Sequence, residues 1–151
     1  MRILIATIKV PFIRGGAELH AENLRLALEA HGHDVDTVAV PFRWSPPEQI
    51  LDGMLACRML DMTETAQGPV DLMIALRFPA YYMRHPNKVV WLLHQYRSAY
   101  ELWDHPQVDL GFCKKVKCPG LVTSPLSLLS EGYQPRFLFV EVEMVLGQAL
   151  A

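Results

Sequence analysis

Short, nearly continuous apolar runs alternating with amphipathic helical stretches predict an α/β domain built on a mostly parallel, doubly wound sheet. Three observations carry that class: the opening run Arg2-Ile3-Leu4-Ile5-Ala6-Thr7, two further apolar runs at 70–76 and 88–93, and the helical spacing of apolar residues in between. Runs of this kind belong to strands covered on both faces. Sheets of this kind collect ligands outside the carboxyl ends of their strands.

The first strand continues through Pro11 into Gly15-Gly16, which open a helix. Glycine lets a ligand come close to the backbone, and the free N–H groups of a first helical turn favour negative charge. The turn therefore reads as an anion or sugar-phosphate site. Along the helix Ala17, Ala21, Leu24 and Leu28 share a face, and His31-Gly32-His33 ends it through glycine. A second strand follows from Val35 to Val40. Pro41 and the Ser45-Pro46-Pro47-Glu48 stretch break the chain and start a second helix, with Ile50, Met54, Cys57 and Leu60 or Asp61 on one face before a polar turn at 63–68. Strands three and four are the runs at 70–76 and 88–93. The segments at strand ends are thus Lys9 to Glu18, Pro41 to Pro46, Arg77 to Tyr82 and His94 to Arg97. Their basic, aromatic and amide side chains suit hydrogen bonding to, and stacking on, a sugar or nucleotide.

At 151 residues and 17.1 kDa the chain has the size of one domain, enough to bury about 68–70% of its unfolded surface. A net charge of −2 and a pI near 6.3 give no broad attraction for nucleic acid or an acidic membrane. The run Lys114-Lys115-Val116-Lys117 reads as a solvated face. The opening strand is too short for a secretory signal or a transmembrane segment, so the expected location is cytoplasmic. Cys57, Cys113 and Cys118 leave one thiol unpaired in any disulfide scheme, which suits a reducing compartment. A zinc site on Cys113 and Cys118 would need two more ligands at a recognisable spacing, which His85, His94 and His105 do not supply.

The Gly15-Gly16-Ala17-Glu18 turn, the Gly32-His33-Asp34-Val35 entry to strand two, and Val90-Trp91-Leu92-Leu93-His94-Gln95-Tyr96-Arg97 resemble, in this order and spacing, the amino-terminal domain of glycosyltransferase family 4 enzymes. The resemblance covers about residues 1–104. It implies one half of a GT-B architecture, in which two Rossmann-like domains face each other across a cleft. The amino-terminal domain mostly holds the acceptor, and the other binds the nucleotide-sugar donor. The resemblance places Gly15 and Gly16 under the donor diphosphate and sugar, and His94 near the transferred sugar as the catalytic residue. Glu18, Arg77, Gln95 and Arg97, at the strand ends, complete the expected substrate-binding set. No cofactor and no catalytic metal are implied, because helix amino termini and basic side chains stabilise the departing diphosphate.

A complete enzyme of this kind has two such domains, and this chain has the length of one. A separate donor-binding domain or chain is the expected partner. After Trp103-Asp104 the pattern fades, and 105–151 is expected to be a divergent or truncated tail, with a strand from Arg136 to Val142 and a short helix from Glu143 to Ala151.

Each residue also has a plainer reading. Gly15-Gly16 serves as a turn, Glu18 caps its own helix, and Arg77 and Arg97 pair with surface carboxylates. Tyr81, Tyr82 and Tyr96 pack, His31 and His33 belong to the helix terminus, and His20 is a solvated surface residue. The rival function is a non-enzymatic Rossmann-like nucleotide- or ligand-binding module. Within it an NAD site lacks the third glycine and the acidic residue closing strand two. A receiver-type site lacks aspartates at strand ends, since Asp34, Asp36 and Asp71 stand at strand starts.

Overall fold

The computed structural model of the chain describes residues 1–92 and 136–139. The elements are β1 (Arg2–Lys9), α1 (Gly16–Ala30), β2 (Asp34–Pro41), α2 (Glu48–Met59), β3 (Glu64–Thr65), β4 (Gly68–Pro69), β5 (Leu72–Ala75), a 3-10 turn at Ala80–Tyr82, β6 (Lys88–Leu92) and β7 (Arg136–Phe139). Five strands form one sheet in the order β2-β1-β5-β6-β7, and every neighbouring pair is parallel. The α/β class with a parallel sheet is therefore observed. The polar turn expected at 63–68 contains the two-residue strands β3 and β4, paired antiparallel.

β1 is buried on both faces because both faces are covered by helix. Ile3 and Ile5 point to one side, where they meet Ala21 of α1 with Leu24, Leu28 and Trp91 packed alongside. Ala6 and Ile8 point to the other, where they join Ile50, Met54 and Cys57 of α2. The period of two in the strand thus feeds two cores, as a doubly wound sheet requires. β2 alternates exposed and half-buried residues along most of its length, as an outermost strand does.

The helix ends follow local chemistry. Glu18 Oε2 accepts the Gly15 N–H at 2.7 Å, the carboxylate half of a capping box at the start of α1. At its end Gly32 adopts φ +82, while Gly32 and His33 donate to the carbonyls of Glu29 and Leu28 at 2.9 and 3.2 Å. This is the paired closure that a left-handed residue permits. In α2 the buried Ile50, Met54 and Cys57 recur at intervals of four and three. Leu60 falls just beyond the helix and packs against the same core.

Two buried polar side chains fasten the crossover between β5 and β6. Lys88 is only 5% exposed, and its Nζ donates to the carbonyls of Tyr81 and Met83, each at 2.8 Å. The His85 ring lies between the Val70 carbonyl, 3.1 Å from Nε2, and the Asn87 carbonyl, 2.7 Å from Nδ1. Burying these groups is tolerable because each has partners.

Two outcomes follow from this packing. A Cβ at Gly53 would stand 2.9 Å from two ring carbons of the buried Phe42, so Gly53→Ala should lower unfolding stability by about 1–2 kcal/mol despite alanine's better helix propensity. Chemical denaturation measures it. Burial pushes the Lys88 pKa down to about 8, with Arg58 acting in the same direction, from an ordinary 10.5. Over that window the unfolded chain binds more protons, so this residue makes stability rise with pH. The buried Cys57 thiol, pushed up to about 11 from 9.0, works the opposite way at higher pH. Between pH 7.5 and 9 Lys88 should add about 1 kcal/mol to the unfolding free energy. Urea melts of Lys88→Met should lack that slope, whatever the variant's absolute stability.

Candidate functional site

β2 flanks β1 on one side and β5 on the other, so the chain departs in different directions after β1 and after β5. Such a switch point leaves a crevice at the carboxyl edge of the sheet. Pairing persists to its brink, since the Leu76 N–H donates to the Ala6 carbonyl at 3.0 Å. Arg77 is the next residue on the β5 side, and the loop to Gly15-Gly16 leaves from the β1 side.

One carboxylate joins the two sides. Glu18 Oε1 pairs with Arg77 Nη1 at 3.2 Å while its Oε2 holds the Gly15 N–H at 2.7 Å, and the two side chains are 23% and 25% exposed. Burial acts to raise the Glu18 pKa. The amide hydrogen bonds from Gly15 and Glu18 and the Arg77 guanidinium outweigh it, so the carboxyl sits below its ordinary value. The structure brings together Gly15, Gly16, Glu18 and Arg77, and it gives Glu18 and Arg77 their plainer roles as cap and ion pair. A guanidinium has five N–H donors, and this contact engages Nη1 alone.

The two glycines are not explained by the fold's own needs. Neither has a positive φ. A Cβ at Gly16 would meet nothing within 4 Å, and one at Gly15 would find Glu18 Oε2 at 3.7 Å. Ordinary side chains fit here, so the glycines leave an open backbone above the first turn of α1, where amide N–H groups have no helical partner.

His20 corrects the expectation of a solvated residue. It is half-buried, edge-on to Trp91 with ring centroids 5.1 Å apart. Its Nε2 and Trp91 Nε1 are buried without a hydrogen-bond partner among the described residues. Burial pushes the imidazole pKa down, so the ring is neutral at neutral pH. The spacing held the signal: His20 is three residues after Ala17 and four before Leu24, which puts it on the flank of the apolar stripe. It also lies one turn from Gly16, on the same side of α1.

The aromatic segment after Arg77 belongs to the core. Tyr81 and Tyr82 are buried, and Phe78 packs edge-on against both and against Phe42, with centroids 5.9 to 6.2 Å apart. Their packing reading stands, and they offer no platform for a sugar. His94, Gln95 and Arg97 lie outside the described residues, as does Tyr96. β6 runs parallel to its neighbours and ends at Leu92, so the chain leaves it at the same carboxyl edge. A concavity of about 400 Å³ sits at the opposite edge, lined in part by Arg2, Asp34, Asp36, Thr65 and Gln67. There Arg2 pairs with Asp34 at 3.4 Å and donates to the Gln67 carbonyl, so its charge is already engaged.

Among the described residues no group of three or more His, Cys, Asp or Glu side chains could hold a metal ion, and no helix is long and apolar enough to cross a membrane. Comparisons with protein-family models, curated proteins and solved structures find no match to this chain.

The Glu18 tie carries a pH signature. A carboxyl held below its ordinary pKa contributes stability that is complete above about pH 4.5 and is lost as pH falls through the folded-state value. Glu18→Gln should therefore flatten part of the acid limb of the stability curve, with little change in its slope near neutrality. Thermal melts between pH 3 and 7 check this.

Proposed function

We propose that this chain is the acceptor-side half of a GT-B glycosyltransferase, with the crevice between β1 and β5 receiving the sugar and diphosphate of a nucleotide-sugar whose nucleotide is held by a second domain or chain. The observation that carries the reading is the unfilled space over Gly16 at the head of α1, beside the Glu18–Arg77 pair. Backbone N–H groups at a helix start attract anions; here the Glu18 carboxylate takes the Gly15 and Glu18 amides, and the open space lies over the Gly16 backbone between them.

In this reading the first turn of α1 and Arg77 face the charge that develops on the departing diphosphate. Interactions that strengthen as that charge appears are the ones that speed transfer. Glu18 is a positioning residue, since both its oxygens are occupied in orienting Arg77 and the Gly15 amide. The family resemblance implies a role near the transferred sugar for His94, and counts Gln95 and Arg97 among the substrate-binding residues. Contacts from the other half of the cleft are needed for turnover, so the chain alone should transfer essentially no sugar.

One observation favours the alternative of a non-enzymatic Rossmann-like binding module: Glu18, the carboxylate at the crevice, has neither oxygen free for acid or base work. Substitution at the glycine tests the shared premise. Gly16→Ala fits the open space and should raise folding stability by about 0.5–1 kcal/mol. It should also weaken the binding of nucleoside diphosphates and nucleotide sugars about tenfold, as followed by ligand-observed NMR. Unchanged binding would remove the crevice from the argument. Equal affinity for a nucleoside diphosphate with and without its sugar would favour the binding module over the transferase.

A further inference from the structure

The chain leaves β1 and β2 side by side, and the Phe42 N–H donates to the Lys9 carbonyl at 3.0 Å. The loops that follow therefore make one rim at the carboxyl edge. The first begins in a turn closed by the Ile13 N–H on the Val10 carbonyl at 3.2 Å, with Pro11 second and Phe12 third, and Phe12 has φ +64. In a type II turn that third position favours glycine or asparagine, because a bulky side chain is strained there. Phe12 occupies it while fully exposed, so no burial offsets the strain. Strain without an internal return points to a role outside the fold.

Its surroundings share one chemistry. Ile13 is exposed beside it, and in the second loop Trp44 stands edge-on to Phe42 at 4.6 Å while remaining 39% exposed. Lys9, Arg14 and Arg43 are exposed, and neither 9–15 nor 41–47 contains an acidic residue; the nearby acid is Glu22 of α1, which feels the charge of Arg14 while it pairs with Arg25. A chain of net charge −2 thus carries one rim that is both basic and apolar. The linear sequence conceals it, because its parts come from two separate loops.

We infer that this rim docks onto an anionic lipid bilayer, with Phe12, Ile13 and Trp44 entering the headgroup boundary and Lys9, Arg14 and Arg43 facing the lipid phosphates. Aromatic rings and long cationic side chains suit that boundary, and each cation near an anionic surface adds attraction. Nucleic acid fits less well: the tip of the rim is the aliphatic and aromatic Pro11-Phe12-Ile13, and three cations make a short footprint for a phosphate backbone. The inference goes beyond the sugar-transfer reading and uses none of Gly16, Glu18 or Arg77.

Flotation of the full chain with phosphatidylcholine vesicles, with and without phosphatidylglycerol, tests it. Binding should require the anionic lipid and fall about fivefold or more in high salt. Phe12→Gly relieves the turn, so it should raise the melting temperature while cutting vesicle binding about fivefold, and the pair Arg14→Gln with Arg43→Gln should cut binding with little change in melting. Nucleoside diphosphate binding should survive in Phe12→Gly, which separates this outcome from that of the crevice. The inference is overturned by a wild-type chain that stays in solution, by vesicle binding that Phe12→Gly leaves intact, or by retention on an oligonucleotide that these variants abolish while vesicles show none.

Discussion

β1 is held in parallel register by β2 along its full length and by β5 over four residues, and that double pairing governs everything at the carboxyl edge. A strand fixed on both sides and covered on both faces cannot shift its register without moving Ile3, Ile5, Ala6 and Ile8 into the wrong core. The loops leaving β1 and β5 therefore start from fixed points. The Glu18–Arg77 pair then joins the start of α1 to the residue that follows the β5 ladder.

Much of this was legible in the residues, and the parts that were not share a cause. The apolar run of β1, the glycine stop of α1 and the buried face of α2 could be read locally, because periods of two and of three to four residues need no distant information. Strand limits shifted by a residue or two where polar Asp34 and Lys9 continue the ladder. Gly15, Gly16, Glu18 and Arg77 each stood out as strand-end residues. The pairing of Glu18 with Arg77, 59 positions apart, could not be read, since only the sheet order brings them together.

Lys88 shows the same limit from the other side. A lysine at the start of an apolar run is usually solvated, yet Lys88 is buried and donates to the carbonyls of Tyr81 in the 3-10 turn and of Met83 just after it. The turn needs donors that its own backbone does not supply, and a long, flexible side chain reaches them. Burial of a cation here is a consequence of the crossover's geometry, which composition does not encode. His20 was misplaced for a milder reason: the apolar stripe of α1 is wider than its aliphatic residues alone suggest.

β2 is outermost in the sheet, and among the described residues no strand pairs with its far side. An unprotected row of N–H and C=O groups is a template on which another chain can add a strand. Asp34 and Asp36, both exposed near its start, place charge along this border, and Pro41 closes it with a residue that lacks an amide hydrogen. Two of the three aspartates that count against a receiver-type site are thus exposed charges on an outermost strand, the kind that discourages edge-to-edge addition.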